Sequence, residues 1–299
     1  MLDSYRGRFA PSPTGPLHLG SMLTAVGSYL QAKSHNGKWL VRIEDIDPPR
    51  EVPGASASIL NTLERFGLHW DEEVIYQSQR ASYYEEALSH LTHLNLIYPC
   101  CCSRKVIQQN GAKRGKIGYV YPGTCQLKQV SLSEQHSIRL KVLNENCSFV
   151  DYLQGTVTQS LISEIGDIIL KRADDLYAYH LAVVVDDYLQ EITEIVRGFD
   201  LLENTPIQIY LQQCLGYHKP NYLHLPIVIN EHQEKLSKQT GAKSVEQENP
   251  ESTLVLILQL LNLNPPPRLA EADKHEILKW GIRHWRMPAQ GTETVLNHT

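Results

Sequence analysis

Cysteine is scarce in this chain, with 6 in 299 residues, too few for a secreted scaffold stapled by disulfides. Long apolar runs are missing as well. The run Leu254 to Leu258 falls far short of the roughly 20 residues that a membrane-spanning helix needs. The opening residues Met1-Leu2-Asp3-Ser4-Tyr5-Arg6 hold no apolar core of the kind a signal peptide requires. No internal repeat or low-complexity tract points to a solenoid or a disordered tail. Positive charge is not in excess, since 28 Lys+Arg stand against 33 Asp+Glu for a formal charge of −5. A protein coated in positive charge is thereby excluded, and contact with nucleic acid has to use a local basic patch. These absences predict a cytoplasmic enzyme with no membrane partner. Its 42% apolar residues suffice for one large domain or two small ones.

What is present first shows as periodicity. Arg8-Phe9-Ala10 predicts a short strand stopped by Pro11 and Pro13. Gly20-Ser21 then opens a helix with Leu23, Val26 and Leu30 at helical spacing, ending near Gly37. Trp39 to Ile43 predicts a second strand, and helices are expected from about Ser56 to Phe66 and from Tyr83 to Leu94. Strand, helix, strand, helix reads as a parallel sheet covered by helices. Further on, the unbroken apolar run Leu181 to Val185 is expected as a buried parallel strand, with a helix over Thr205 to Leu215. Helices over Leu254 to Leu261 and Glu271 to Trp280, separated by Pro265-Pro266-Pro267, lead to a polar last ten residues.

One stretch departs from this pattern. From Ser103 to Ser133 there is no acidic residue, but six basic ones occur: Arg104, Lys105, Lys113, Arg114, Lys116 and Lys128. Rich in glycine and poorly periodic, it reads as an inserted module. Just before it stand three consecutive cysteines, Cys100-Cys101-Cys102, which suggest metal binding in a reducing compartment.

Two segments carry a phosphate signature. Pro11-Ser12-Pro13-Thr14-Gly15-Pro16-Leu17-His18-Leu19-Gly20 joins the first strand to the first helix. Glycine lets backbone N–H groups approach an anion, and a helix N-terminus adds partial positive charge. His18 sits where its ring could donate to a phosphate oxygen, at the end of the sheet where α/β folds bind ligands. Lys235-Leu236-Ser237-Lys238-Gln239 places two lysines three apart in a loop, able to neutralise charge on a polyphosphate leaving group. Either segment alone would more often be a capped loop or a pair of solvated lysines.

Together, PSPTGPLHLG and KLSKQ resemble the paired HIGH and KMSKS signatures of the class I aminoacyl-tRNA synthetases. Arg8 to Gly15, Arg42-Ile43-Glu44-Asp45-Ile46-Asp47, Val184-Val185-Asp186-Asp187 and Ile195 to Leu202 narrow the resemblance to the glutamyl branch. It implies an α/β fold, a class I Rossmann-like parallel sheet with an inserted zinc-bearing module and a C-terminal helical region. The expected boundaries are 1–97 and 151–230 for the two catalytic halves, 98–150 for the module and 231–299 for the lysine loop and helices.

A glutamate pocket needs cations for a carboxylate and an anion for the ammonium group, and arginine meets a carboxylate with a planar fork. The resemblance places glutamate contacts on Arg8, Phe9, Ala10, Pro11 and Ser12, and on Glu44, Tyr179 and Arg197. It places ATP, accompanied by Mg2+, on His18, Gly20, Lys235 and Lys238, with His18 and Lys238 as the catalytic pair. No protein nucleophile is required, so catalysis is positioning and charge stabilisation.

Cys100 and Cys102, one residue apart, present their thiols to one side of an extended segment. Cys125 returns later, with Tyr121 four residues before it. Three thiolates and a fourth donor suit one structural zinc ion, and chemistry alone leaves Cys101, His93 and Tyr121 open as the fourth. The resemblance favours Tyr121, because a Cys-x-Cys…Tyr-x-x-x-Cys site belongs to the short glutamyl-Q branch. Cys147 and Cys214 are expected as core residues.

After Lys238 only 61 residues follow, which leaves no room for the helical anticodon-binding region of a standard glutamyl-tRNA synthetase. With Asp45-Ile46-Asp47-Pro48-Pro49-Arg50-Glu51-Val52-Pro53-Gly54 and Gln239, this resembles the glutamyl-Q tRNA(Asp) synthetase family. Membership implies L-glutamate, ATP and tRNA(Asp) bearing queuosine as partners, tRNA-independent activation, and a monomer. Two rivals are a truncated synthetase charging tRNA(Glu) and a non-catalytic glutamate-binding paralogue. Intact His18, Gly20, Lys235 and Lys238 argue against the second.

Overall fold

The computed structural model describes residues 4–126, 128, 130, 135–143, 146–228 and 244–287. The opening alternation is β1 (Arg6–Phe9), α1 (Leu19–Ser34), β2 (Lys38–Ile43), α2 (Ala55–Arg65) and β3 (Ile75–Tyr76), close to the expected bounds. β1 pairs with β2 and β2 with β3, both in parallel. Helix α3 (Ala81–His93) leads to β4 (Ile97–Cys100), α4 (Arg104–Gln109) and β5 (Ser137–Leu140). The hairpin β6 (Asn146–Asp151) and β7 (Gly155–Ser160) follows, then α5 (Leu161–Glu164) and β8 (Ile169–Lys171). The chain continues through α6 (Tyr179–Leu189), β9 (Glu194–Gly198), α7 (Thr205–Leu215) and β10 (Asn221–Leu225), and later α8 (Pro250–Leu260) and α9 (Lys274–His284).

Strand β10 pairs in parallel with β9 on one side and β6 on the other. Strand β9 lies beside β1, where the Thr193 N–H donates to the Arg6 carbonyl at 2.9 Å. The order across the molecule is therefore β3-β2-β1-β9-β10-β6-β7, with β2 and β3 on one side of β1 and the later parallel strands β9 and β10 on the other. The point of reversal, between β1 and β9, is where a doubly wound sheet opens a crevice at its carboxyl end. Strands β4, β5 and β8 form a separate antiparallel sheet, and beside it Tyr98, Cys100, Ile107, Tyr121 and Cys125 form an apolar cluster of their own.

The expected strand over Leu181 to Val185 is instead the middle of helix α6. Every residue from Leu181 to Asp187 is buried, with α3 and α7 packed against the helix. A helix enclosed on all sides carries no polar face, so its apolar run has the look of a buried strand. The strand that enters the sheet is β9, just downstream.

Helices α8 and α9 pack on α1, and Gly281 of α9 lies against Leu30 of α1 and Leu258 of α8. The C-terminal helices thus share the core of the first sheet. Among the described residues, no helix is long and apolar enough to cross a membrane. Gly27 of α1 has no room for a Cβ, because the Leu225 side chain of β10 occupies that space. Leu225 is fully buried. Leu225→Ala is expected to destabilise the protein by about 2–5 kcal/mol, the usual cost of emptying a leucine site, as read from urea unfolding.

Candidate active site

A cavity of about 640 Å³ opens at the switch point, within the range of small-molecule sites. Its walls come from the carboxyl ends of β1 (Arg8, Phe9), β2 (Glu44) and β9 (Val196, Arg197, Gly198), and from the segment after β10 (Pro226, Ile227, Val228). Of the expected residues, Ala10, Pro11, Ser12, His18, Gly20 and Tyr179 also line it.

Buried ion pairs hold the first arginine. Arg8 Nε and Nη2 donate to the two carboxylate oxygens of Asp187 at 3.0 and 3.2 Å, a bidentate pair. Arg42 donates to the same carboxylate at 2.9 Å, to Gln190 at 2.7 Å and to Glu44 at 3.2 Å. Adjacent Asp186 accepts from Arg80 at 2.5 Å, Gln77 at 2.8 Å and the Tyr84 hydroxyl at 2.7 Å. Burial alone would raise the Asp187 pKa, but Arg8 and Arg42 hold it below the usual range. Burial wins at Glu44 and raises its pKa despite both arginines. With one edge given to Asp187, Arg8 makes no hydrogen bond through Nη1 to the described residues.

Arg197 is held differently. Its Nε donates to His224 Nε2 at 3.0 Å and its Nη2 to the Thr205 hydroxyl at 2.7 Å. Nη1 lies 3.4 Å from the Tyr179 hydroxyl. Behind it, His224 Nδ1 lies 2.6 Å from Asp151 Oδ2. Burial, aided by the charge of Arg197, pushes the His224 pKa down to about 4 despite that carboxylate.

The loop after β1 turns at Gly15, which has φ +126°, and delivers His18 as the N-cap of α1. His18 Nδ1 accepts from Ser21 N–H at 3.3 Å, and its Nε2 lies 3.0 Å from the Ser21 hydroxyl. The first-turn N–H groups of α1 start beside it, a setting that favours anions. Lys235 and Lys238 lie outside the described residues. The chain on either side of 229–243 meets the cavity region, since Val228 lines it and Ser244 bridges to His18.

A second cluster sits beside the antiparallel sheet. The sulfurs of Cys100, Cys102 and Cys125 lie within 4.8 Å of one another. The Tyr121 hydroxyl is 3.3 Å from Cys100 Sγ and 3.4 Å from Cys102 Sγ. Burial opposes ionisation of Cys125, yet hydrogen bonds from Tyr121 and the neighbouring cysteines bring its pKa down to about 7. The Arg139 guanidinium lies 3.9 Å from the Tyr121 ring centre, a cation–π contact, while burial and the neighbouring cysteines push the Tyr121 pKa up. Cys101 is exposed, with its sulfur 3.9 Å from Cys125. His93 is turned away, bonded to the Ser89 carbonyl. This is a three-cysteine centre able to hold a metal ion. The six basic residues of the acid-free stretch are all exposed, and Lys116 pairs with Glu203 at 3.0 Å.

Sequence reading missed Asp151, Thr205 and His224. Each is a lone polar residue with no motif around it, and a single histidine in an apolar strand is more often a core residue than a site residue. Asp186 and Asp187 stood in a quoted motif without a role.

Residues 4–264 match the family of tRNA synthetases class I (E and Q), catalytic domain. A glutamyl-Q tRNA(Asp) synthetase of Neisseria gonorrhoeae is 50% identical over 287 residues, 95% of this chain and 96% of that protein. One from Dechloromonas aromatica is 47% identical over 298 residues, 99% of each. The solved glutamate tRNA ligase of Elizabethkingia meningosepticum, in complex with its amino acid, has a TM-score of 0.78 at 24% identity. The alignment covers 98% of this chain and 67% of that one, a likeness of fold. The chain belongs to the class I tRNA synthetase family (E and Q) and, within it, groups with the glutamyl-Q tRNA(Asp) synthetases. It is a ligase.

The buried imidazole sets a pH dependence. In the unfolded chain His224 titrates near 6.5, and in the fold near 4. Between these values the unfolded state binds a proton that the folded state excludes. Stability from this group is full above pH 6.5 and is expected to fall as the pH drops toward 4. Thermal midpoints that stay flat across that window in wild type, or decline equally in a folded His224→Phe variant, would contradict it.

Proposed function

We propose that the enzyme activates L-glutamate with ATP in the absence of RNA. In this reading it then passes the glutamyl group to the queuosine base in the anticodon loop of tRNA(Asp). The observation that carries the first step is the cavity itself, with Arg8 and Arg197 in its wall beside Glu44 and Tyr179. Two cations and one carboxylate complement the two carboxylates and one ammonium of glutamate. Phe9, Ala10, Pro11 and Ser12 shape the wall between the amino acid and the nucleotide.

In the first step an oxygen of the substrate α-carboxylate forms a bond to the α-phosphorus of ATP. The bond from that phosphorus to the bridging oxygen breaks, releasing pyrophosphate and leaving glutamyl-adenylate. His18 and the first-turn N–H groups at Gly20 are assigned to the phosphates, and Lys235 and Lys238 to the charge that grows on the leaving group. Mg2+ arrives with ATP as part of the substrate. A hydroxyl of the acceptor then bonds to the acyl carbon, and AMP departs. The acceptor assignment is supported by relatives of that name, which match over nearly their whole length.

Cys100, Cys102, Cys125 and Tyr121 are assigned to one structural zinc ion, a donor set that fits tetrahedral coordination. Bound there, zinc would tie the end of β4 to the Tyr121–Cys125 segment. The exposed basic residues from Arg104 to Lys128 are the surface offered to RNA phosphates.

Pyrophosphate exchange that depends on glutamate and needs no RNA is the expected result, and its absence would favour a glutamate-binding paralogue. Labelling of tRNA(Asp) is expected only when queuosine is present. Equal labelling with and without the modified base, or charging of tRNA(Glu), would overturn the acceptor assignment. Metal analysis is expected to find one zinc per chain, lost in Cys125→Ser and kept in Cys101→Ser.

A further inference from the structure

The contacts of Arg197 define where the proton on His224 resides. Arg197 Nε–H donates to His224 Nε2 at 3.0 Å, so that nitrogen must present its lone pair. The proton of the neutral ring is then on Nδ1, directed at Asp151 Oδ2 2.6 Å away. Asp151 accepts at its other contacts too, from the N–H groups of Leu153 at 3.0 Å and Gln154 at 2.9 Å. Both Asp151 and His224 are almost fully buried, so no water competes for these bonds. On the next nitrogen, Thr205 Oγ1 accepts from Arg197 Nη2 at 2.7 Å, and its own proton can go to the Leu201 carbonyl at 3.3 Å or to the lone pair of His224 Nε2 at 3.1 Å. The whole Nε–Nη2 edge of the guanidinium is thus committed to protein, and Nη1 remains beside Tyr179 in the cavity wall.

We propose that Asp151 and His224 are positioning residues for the substrate carboxylate. Asp151 fixes the Nδ1–H tautomer of His224, and the Nε2 lone pair then holds Arg197 with Nη1 offered to the ligand. A buried aspartate that selects a histidine tautomer is an established device in catalysis. Here the imidazole touches no substrate and acts through an arginine. This inference rests on the reading that the cavity takes glutamate.

Asp151→Asn tests it. The side chain keeps its shape and can still accept from the backbone, but its amide N–H faces His224 Nδ1. The imidazole proton must then move to Nε2, setting an N–H against the Nε–H of Arg197. In pyrophosphate exchange the glutamate KM is expected to rise about 10- to 100-fold, the effect of losing a hydrogen bond to a charged group. The ATP KM should stay within about twofold, since the nucleotide contacts are untouched. Histidine 15N shifts should show His224 protonated on Nδ1 in wild type and on Nε2 in the variant. A folded Asp151→Asn enzyme with an unchanged glutamate KM, or with both KM values raised together, would overturn the proposal. If the variant does not fold, the wild-type 15N spectrum decides, and a His224 protonated on Nε2 overturns it. Wild-type enzyme that fails to exchange with glutamate would remove the glutamate reading alone, and the 15N assignment would still decide the tautomer.

Discussion

Two adjacent carboxylates buried at the end of one helix are the constraint around which the catalytic half is arranged. Asp186 and Asp187 of α6 are both inaccessible to water, where an unpaired charge would cost several kcal/mol. Each must be met, and the partners come from different parts of the chain: Arg8 from β1, Arg42 from β2, and Gln77, Arg80 and Tyr84 from the approach to α3 and its first turns. One helix end thereby fixes two strands and another helix relative to each other. Buried pairs of this kind often add little net stability over an apolar core, but they tolerate few alternative geometries. The benefit lies in placement, since Arg8 is held to the same carboxylate that ties down Arg42.

The two arginines of the cavity are prepared in the same way by different chemistry. Both commit the Nε–Nη2 edge to the protein, Arg8 to a carboxylate and Arg197 to a neutral imidazole and a hydroxyl. Side-chain freedom is lost in the fold, so little remains to be lost when a ligand binds. Charge separates the two cases. Asp187 offsets Arg8, whereas no described carboxylate lies within ion-pair distance of Arg197.

Much of this site could be read from the residues. Arg8, Glu44, Tyr179 and Arg197 were expected together and do line one cavity, and Cys100, Cys102, Tyr121 and Cys125 do converge. Motif density made them visible, because several unusual residues sit within a few positions of each other. Helix α6 was misread because burial on every side erases the alternation of polar and apolar positions on which periodicity depends. Asp151, Thr205 and His224 were invisible for another reason. They meet only through the pairing of β10 with β6 and the docking of α7, and nothing local distinguishes them from ordinary buried polar residues.

The strand order has a consequence for how the molecule comes into being. The bond between Thr193 and Arg6 that brings β9 beside β1 closes a separation of 187 residues, and Arg197 follows only after it. Contacts between residues so distant in the chain are slow to form, because a long loop must close before they are rewarded. A nascent chain emerging from the ribosome carries β1, the His18 loop and β2 early, yet it has only one wall of the cavity. The opposite wall arrives with β9 and β10, after the antiparallel sheet and its cysteines have been made. Ligand binding is therefore a property of the finished catalytic fold and of neither half alone.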